Sequence, residues 1–252
     1  MRPARLGPRL VGPRLGPRLG PLGLILLLAV ALGGAAAREH RPTPFGDDLV
    51  SRPAHLVSAD ALRPGGDHSV LAYDRRSGRA AWSYRRPGRI PLRLVAAAGT
   101  TVAVWDDGML TGMRPDQPAV RWHRFVPGVG GGVRLVPLED GAALLVLTPE
   151  LVVTYTTSDG AIRTDTLPPP GCGYATDRVL VTGGLVVVAR PCAVHSTVEA
   201  FDGEGRRWQR ATGSFADPVP GEPGTVGVAE PPLLRPLLLD RRTGLPPVDW
   251  AS

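Results

Sequence analysis

A strand, a polar turn ending in glycine and a second strand bearing an aromatic residue recur along this chain at a near-constant spacing. "LAYDRRSGRAAWSYRR", residues 71–86, gives the fullest form: an apolar run enters Asp74, Gly78 ends the turn, and Trp82 follows four positions later. Related units are "MLTGMRPDQPAVRWHRFVP" (109–127, with Trp122), "LVVTYTTSDGAIRTDTLP" (151–168, with Gly160 and no tryptophan), "TVEAFDGEGRRWQRATG" (197–213, with Asp202, Gly205 and Trp208) and "RPLLLDRRTGLPPVDW" (235–250, with Asp240, Gly244 and Trp250). Trp82 and Trp122 are 40 residues apart, Trp122 and Trp208 are 86 apart, and Trp208 and Trp250 are 42 apart, so the middle interval holds two periods with Thr164 near the vacant position. A fixed period in this range marks an architecture of stacked, similar units.

Each period also contains a second strand pair, as in "LRLVAAAGTTVAVWDDGML", "VRLVPLEDGAALLVLTPEL" and "RVLVTGGLVVVARP", where two apolar runs flank a glycine turn. Four short strands joined by hairpins in about 40 residues make one propeller blade. After residue 40, proline and glycine interrupt every amphipathic helix longer than two turns. The expected fold is therefore all-β: a β-propeller of four-stranded antiparallel blades, about five of them, in a ring that is either short or incomplete. A β-sandwich built from the same strands would leave the period unexplained. Within a blade, Asp74 is placed to accept hydrogen bonds from turn amides, Gly78 to take a positive φ, and Trp82 to lie over the neighbouring blade. The arginine pairs at 75–76, 85–86 and 241–242 read as solvated hairpin tips.

Composition matters mainly through where the charge sits. All 29 basic residues are arginine and the chain has neither lysine nor asparagine, the mark of a GC-rich, bacterial coding sequence. Five arginines fall in the first 37 residues, which hold no acid, leaving 24 against 23 acidic residues in the body. A near-neutral body offers no electrostatic footprint for nucleic acid. Residues 1–37 combine a basic start, the apolar centre "LILLLAVAL" (24–32) and Ala35-Ala36-Ala37 before Arg38. This reads either as a cleaved signal peptide or as an uncleaved membrane anchor. Both send the body out of the cytoplasm. Residues 38–47 then form a linker and 48–252 the repeats. Cys172 and Cys192, the only cysteines, flank a hairpin that turns near Thr182-Gly183-Gly184, and an exported chain favours a disulfide between them.

"LAYDRRSGRAAW" and "LLLDRRTG" resemble the D-x-x-[ST]-G-x-x-x-W repeat of the PQQ-like (pyrroloquinoline-quinone-like) β-propeller family. The resemblance spans about residues 48–250, strong in the first and last units, partial in the second and fourth, and weak in the third. It implies a propeller. Enzymatic members add calcium ligands, a catalytic base and a pair of adjacent cysteines beside the quinone, and Cys172 and Cys192 are not adjacent. The family usually closes with seven or eight blades, more than this length supplies.

Other chemistry is sparse. Histidines 40, 55, 68, 123 and 195 form no zinc motif, "GVGGGVR" (128–134) fits no phosphate-binding loop, and "WDDG" (105–108) lacks the alternating carboxylates of a calcium loop. No G-x-S-x-G elbow is present. The expectation is a non-enzymatic, cofactor-free binding or scaffold protein of the cell envelope with an unidentified protein partner. The alternatives are a quinone-dependent dehydrogenase-like propeller, or a partial propeller that works only in an assembly.

Overall fold

The computed structural model describes residues 47–51, 58–231 and 235–247. They form five antiparallel sheets. The first holds β1 (Asp48–Ser51), β2 (Ala61–Pro64), β3 (Val70–Tyr73) and β4 (Ala80–Arg85). The second holds β5 (Pro91–Ala97), β6 (Thr100–Trp105), β7 (Met109–Arg114) and β8 (Gln117–Phe125). The third holds β9 (Arg134–Leu138), β10 (Ala143–Thr148), β11 (Leu151–Thr156) and β12 (Ile162–Thr166). The fourth holds β13 (Val179–Thr182), β14 (Leu185–Pro191), β15 (Ser196–Asp202) and β16 (Gly205–Thr212). The fifth shows β17 (Asp217–Pro220), β18 (Thr225–Ala229) and β19 (Leu237–Asp240), and the region of Trp250 lies outside the described residues.

Sheets two to four are meanders in chain order, whereas the first runs β1-β4-β3-β2. There β1 crosses back to pair with β4, setting Asp48 opposite Arg85 and Ser51 opposite Trp82. The strand that carries the repeat tryptophan is outermost in the second and fourth sheets but third in the first, where β1 covers its edge. An uncovered outer edge would offer a row of unpaired amides and carbonyls.

The burial of each strand follows from its place in the sheet. β6 and β10 are buried at every position, and "TTVAVW" and "ALLVLT" are accordingly almost free of charge. Both faces of such a strand are covered by neighbouring sheets, so the usual apolar-polar alternation disappears. Outer strands are the reverse. β16 reads "GRRWQRAT", with Gly205 and Trp208 buried and the arginines largely out. Four apolar clusters lie between successive sheets, one at each seam from first–second to fourth–fifth. The second–third cluster gathers Val104, Leu110, Leu144, Val146 and Tyr155 around Trp122.

Tryptophan ties three of these four seams in the same way. Trp82 Nε1 donates to the Pro115 carbonyl at 2.9 Å, Trp122 Nε1 to Thr157 at 3.0 Å, and Trp208 Nε1 to Arg241 at 2.8 Å. Each acceptor lies in the turn after the third strand of the next sheet. Gly160, at φ +69°, lies so close under the Trp122 ring that a Cβ there would stand 2.6 Å from Cδ2. Gly244, at φ +68°, lies equally close under Trp208. A buried indole covers about 150–250 Å² of apolar surface. Truncating Trp122 to alanine is expected to cost about 3–5 kcal/mol of stability.

Two glycines with matching backbone separate ring contact from turn strain. Gly78 has φ +68°, yet no described atom lies within 4 Å of a Cβ built on it. Gly78→Ala should cost only the left-handed penalty of about 1–2 kcal/mol. Gly160→Ala should cost that and the displaced ring as well. Urea titration of both variants in dilute solution measures the difference, and equal losses would show that the ring does not constrain the turn.

Candidate functional site

The repeat residues make turns first. Asp74 Oδ1 accepts the amides of Arg76 (2.7 Å) and Ser77 (3.1 Å), while its carbonyl accepts Gly78 N–H at 2.8 Å. The Ser77 amide and then the Arg76 amide hold the Asp74 carboxyl below its ordinary range. Asp240 repeats the arrangement with Arg242 (3.0 Å) and Thr243 (2.9 Å), and the Thr243 amide leads in lowering its pKa. Charged carboxylates accept amide hydrogen bonds better than neutral acids, so the downward direction follows from the turn itself. In the third unit Thr156 stands at the aspartate position and Gly160 N–H closes on its carbonyl at 2.9 Å. The fourth turn is shorter: Asp202 accepts Glu204 N–H at 2.8 Å, and Gly205 takes φ +116°.

Thr164 occupies the tryptophan position of the third unit, with its Cγ2 3.3 Å from a Cβ built on Gly205. The seam between the third and fourth sheets therefore carries a threonine where its neighbours carry an indole. Instead, Tyr174 and Phe201 meet edge to face with ring centroids 6.1 Å apart. Beside them Glu199, fully buried, receives Arg190 at 2.5 Å, Arg206 at 3.4 Å and the Tyr174 hydroxyl at 3.5 Å. Burial, and then the Glu199 charge, push the Tyr174 phenol up. Two arginines around one carboxylate satisfy a charge that would otherwise be costly to bury. Cys172 and Cys192 form a disulfide next to this cluster, and Arg190 Nη1 lies 3.6 Å from Cys192 Sγ.

The Glu199 cluster escaped the sequence reading, which took "TVEAF" only as a strand. Its signal was parity: Glu199 shares a strand face with Phe201 and so points into the seam. A second buried cluster was missed likewise. Arg86 pairs with Asp107 at 2.7 Å and Asp47 at 3.6 Å, and its guanidinium lies 5.5 Å from the Trp105 ring centroid. Tyr84 donates to Asp47, and burial raises its phenol pKa. Thus the Arg85-Arg86 pair is not wholly a solvated tip. Arg85 is exposed and Arg86 is locked inside.

Two hollows open where the turns of adjacent sheets meet. One, of about 350 Å³, lies between the fourth and fifth sheets and brings together Arg207, Arg241 and Arg242 with Asp202 beside the Gly183 turn. The other, of about 300 Å³ between the first and second sheets, is lined by Asp60, Arg75, the 96–101 hairpin and Pro115. Segment 105–108 forms a turn closed by Gly108 N–H on the Trp105 carbonyl at 3.0 Å, and Gly128–Gly132 bracket a short 3-10 turn linking two sheets. Among the described residues, no three His, Cys, Asp or Glu side chains are grouped to hold a metal ion. No helix among them is long and apolar enough to cross a membrane.

Comparison with known proteins follows this geometry. No curated protein matches the chain. A solved structure, that of BamB from Moraxella catarrhalis, aligns with a TM-score of 0.43 and 14% identity over 74% of this chain and 73% of its own. A family model described as outer membrane protein assembly factor BamB matches residues 37–216, most of the chain. The chain thus belongs to the PQQ-like β-propeller family that this model describes.

Proposed function

We propose that the protein is an exported or membrane-anchored scaffold of the cell envelope, with no catalytic chemistry of its own, that holds a protein partner at its blade turns. The observation that carries this reading is the match of residues 37–216 to a family model named for an assembly factor. The residues that define the repeat support it, because Asp74, Gly78, Trp82 and their counterparts act in turns and seams rather than converging on a reaction centre. The Cys172–Cys192 disulfide suits an oxidising compartment, and residues 1–37 read as the segment that would deliver the body there. The two hollows, rimmed by arginine and aspartate, offer polar anchoring points for a partner's loops.

Export has a chemical readout. The chain made with residues 1–37 should carry Cys172 and Cys192 cross-linked and blocked to maleimide, and the chain made without them should carry both as free thiols. Identical labelling of both forms would remove the export reading. Reduction of the exported protein, by opening a loop with 20 residues of sequence separation, should cost about 3 kcal/mol in urea titrations.

The scaffold reading and the dehydrogenase alternative separate in one titration. Adding pyrroloquinoline quinone and calcium to the purified chain should give neither a spectral change nor dye reduction. A saturable spectral shift with dye turnover would replace the scaffold with an oxidoreductase. A photocrosslinker at position 242 or 75, facing the two hollows, should trap a defined envelope protein in cells, and the absence of any adduct at both positions would count against partner binding at the turns.

A further inference from the structure

Two carboxylates set into the structure are each received by two arginines. Glu199 takes Arg190 at 2.5 Å and Arg206 at 3.4 Å, and Asp107 takes Arg86 at 2.7 Å and Arg89 at 3.5 Å. The hollow between the fourth and fifth sheets departs from this pattern. Three guanidinium groups line it against the single carboxylate of Asp202. Arg207 pairs with Asp202 at 3.3 Å, and among the described residues no carboxylate lies within ion-pair reach of Arg241 or Arg242. The nearby Asp240 turns its own carboxylate onto the amides of Arg242 and Thr243. The hollow between the first and second sheets is balanced by contrast, its Arg75 lying 3.9 Å from Asp60, which also accepts the Arg75 amide at 2.9 Å.

Arg241 is also held in place. Its amide donates to the Gly224 carbonyl at 2.9 Å, and its carbonyl accepts the Trp208 indole at 2.8 Å. Its guanidinium lies against the Gly183 turn, where a Cβ would stand 2.2 Å from Nη1 and 2.5 Å from Cζ. Glycine at that position therefore makes room for the guanidinium as well as taking φ +52°. A cation fixed through its backbone and seated on a glycine has less freedom to lose when a ligand arrives. The hollow, at about 350 Å³, has the volume of sites that receive side chains and small ligands. The planar fork of a guanidinium matches a carboxylate through two parallel hydrogen bonds.

We infer that this hollow is a binding site for an acidic peptide segment, whose Asp or Glu carboxylate is received by Arg241 and Arg242 as Glu199 is received by Arg190 and Arg206. The inference rests on the scaffold reading for the ligand's being a protein, and adds the chemistry by which it is recognised. Asp202 keeps Arg207 occupied and repels a second acid beside it, so the incoming carboxylate is directed to the fifth-sheet side of the hollow. The hollow between the first and second sheets, with its charges matched, selects neither sign.

The experiment uses the full chain in detergent and a fluorescein-labelled peptide of glutamates flanked by glycine and serine, read by fluorescence anisotropy. The wild type should bind it saturably, and less tightly as salt rises, because the arginines are partly exposed. Arg241→Gln combined with Arg242→Gln should weaken binding about tenfold, the loss of a charge-assisted contact. Arg121→Gln, which removes an exposed arginine of β8, should bind as the wild type does. The double substitution keeps the Arg241 amide and carbonyl, so circular dichroism and the urea midpoint should match the wild type. Binding that survives the double substitution overturns the inference, because it would lie elsewhere, as on the arginines of residues 1–37. So does equal binding of the matching glutamine peptide, or inorganic phosphate that displaces the labelled peptide as well as the unlabelled peptide does. A photocrosslinker at Leu185, on the wall of the hollow, separates this inference from the scaffold reading. A partner adduct that persists in the double variant, with no peptide binding, overturns acidic recognition and leaves the scaffold reading intact. Peptide binding lost in the double variant, with no adduct in cells, upholds the acidic site and counts against the scaffold reading.

Discussion

An indole reaching from one sheet to a turn of the next is the interaction on which the rest of this structure depends. Under Trp122 and Trp208 the ring excludes any side chain beneath it, the turn needs a positive φ, and Gly160 and Gly244 meet both demands at once. The indole N–H then finds the backbone carbonyl that the same turn leaves facing it. Because the donor sits on one sheet and the acceptor on the next, the contact sets the spacing between sheets as well as holding them. The apolar strands can then be buried on both faces, which a lone sheet in water could not achieve.

This coupling explains why so much of the fold was legible. The spacing of Trp82, Trp122 and Trp208 records the distance between joints, and each tryptophan seats in the turn of the following sheet. Even the gap was readable: Thr164, found by counting periods, touches Gly205 as the missing indole would have. What stayed hidden was long-range or masked by apolar neighbours. β1 is four residues, "DLVS", with no pattern of its own, and its pairing with β4 spans some 35 residues of sequence. Glu199 sits within "STVEAFD", where a single acid in a strand normally points to water, and only its face in the sheet reveals burial. Arg86 was grouped with Arg85 because adjacency in sequence says nothing of which residue a pleated strand end turns inward.

The arrangement is close to one-dimensional. Each described seam joins neighbours in sequence, so stability accumulates seam by seam, as in solenoids. A repeat of this kind can vary its loops and rim charges without disturbing the seams. That is how Arg241 and Arg242 decorate a hollow while the Arg241 carbonyl holds Trp208.

The disulfide takes on a different meaning in this light. It is placed at the one seam whose tryptophan is missing. Cys172 is anchored to the end of β14, and the segment that follows it lays Tyr174 into the gap, its amide donating to the Pro149 carbonyl of the third sheet at 2.9 Å and its ring meeting Phe201 of the fourth. A covalent clamp and a borrowed aromatic residue thus do jointly what one indole does elsewhere. The redox state of the surroundings thereby acts on the cohesion of a single seam, and the other three contain no cysteine.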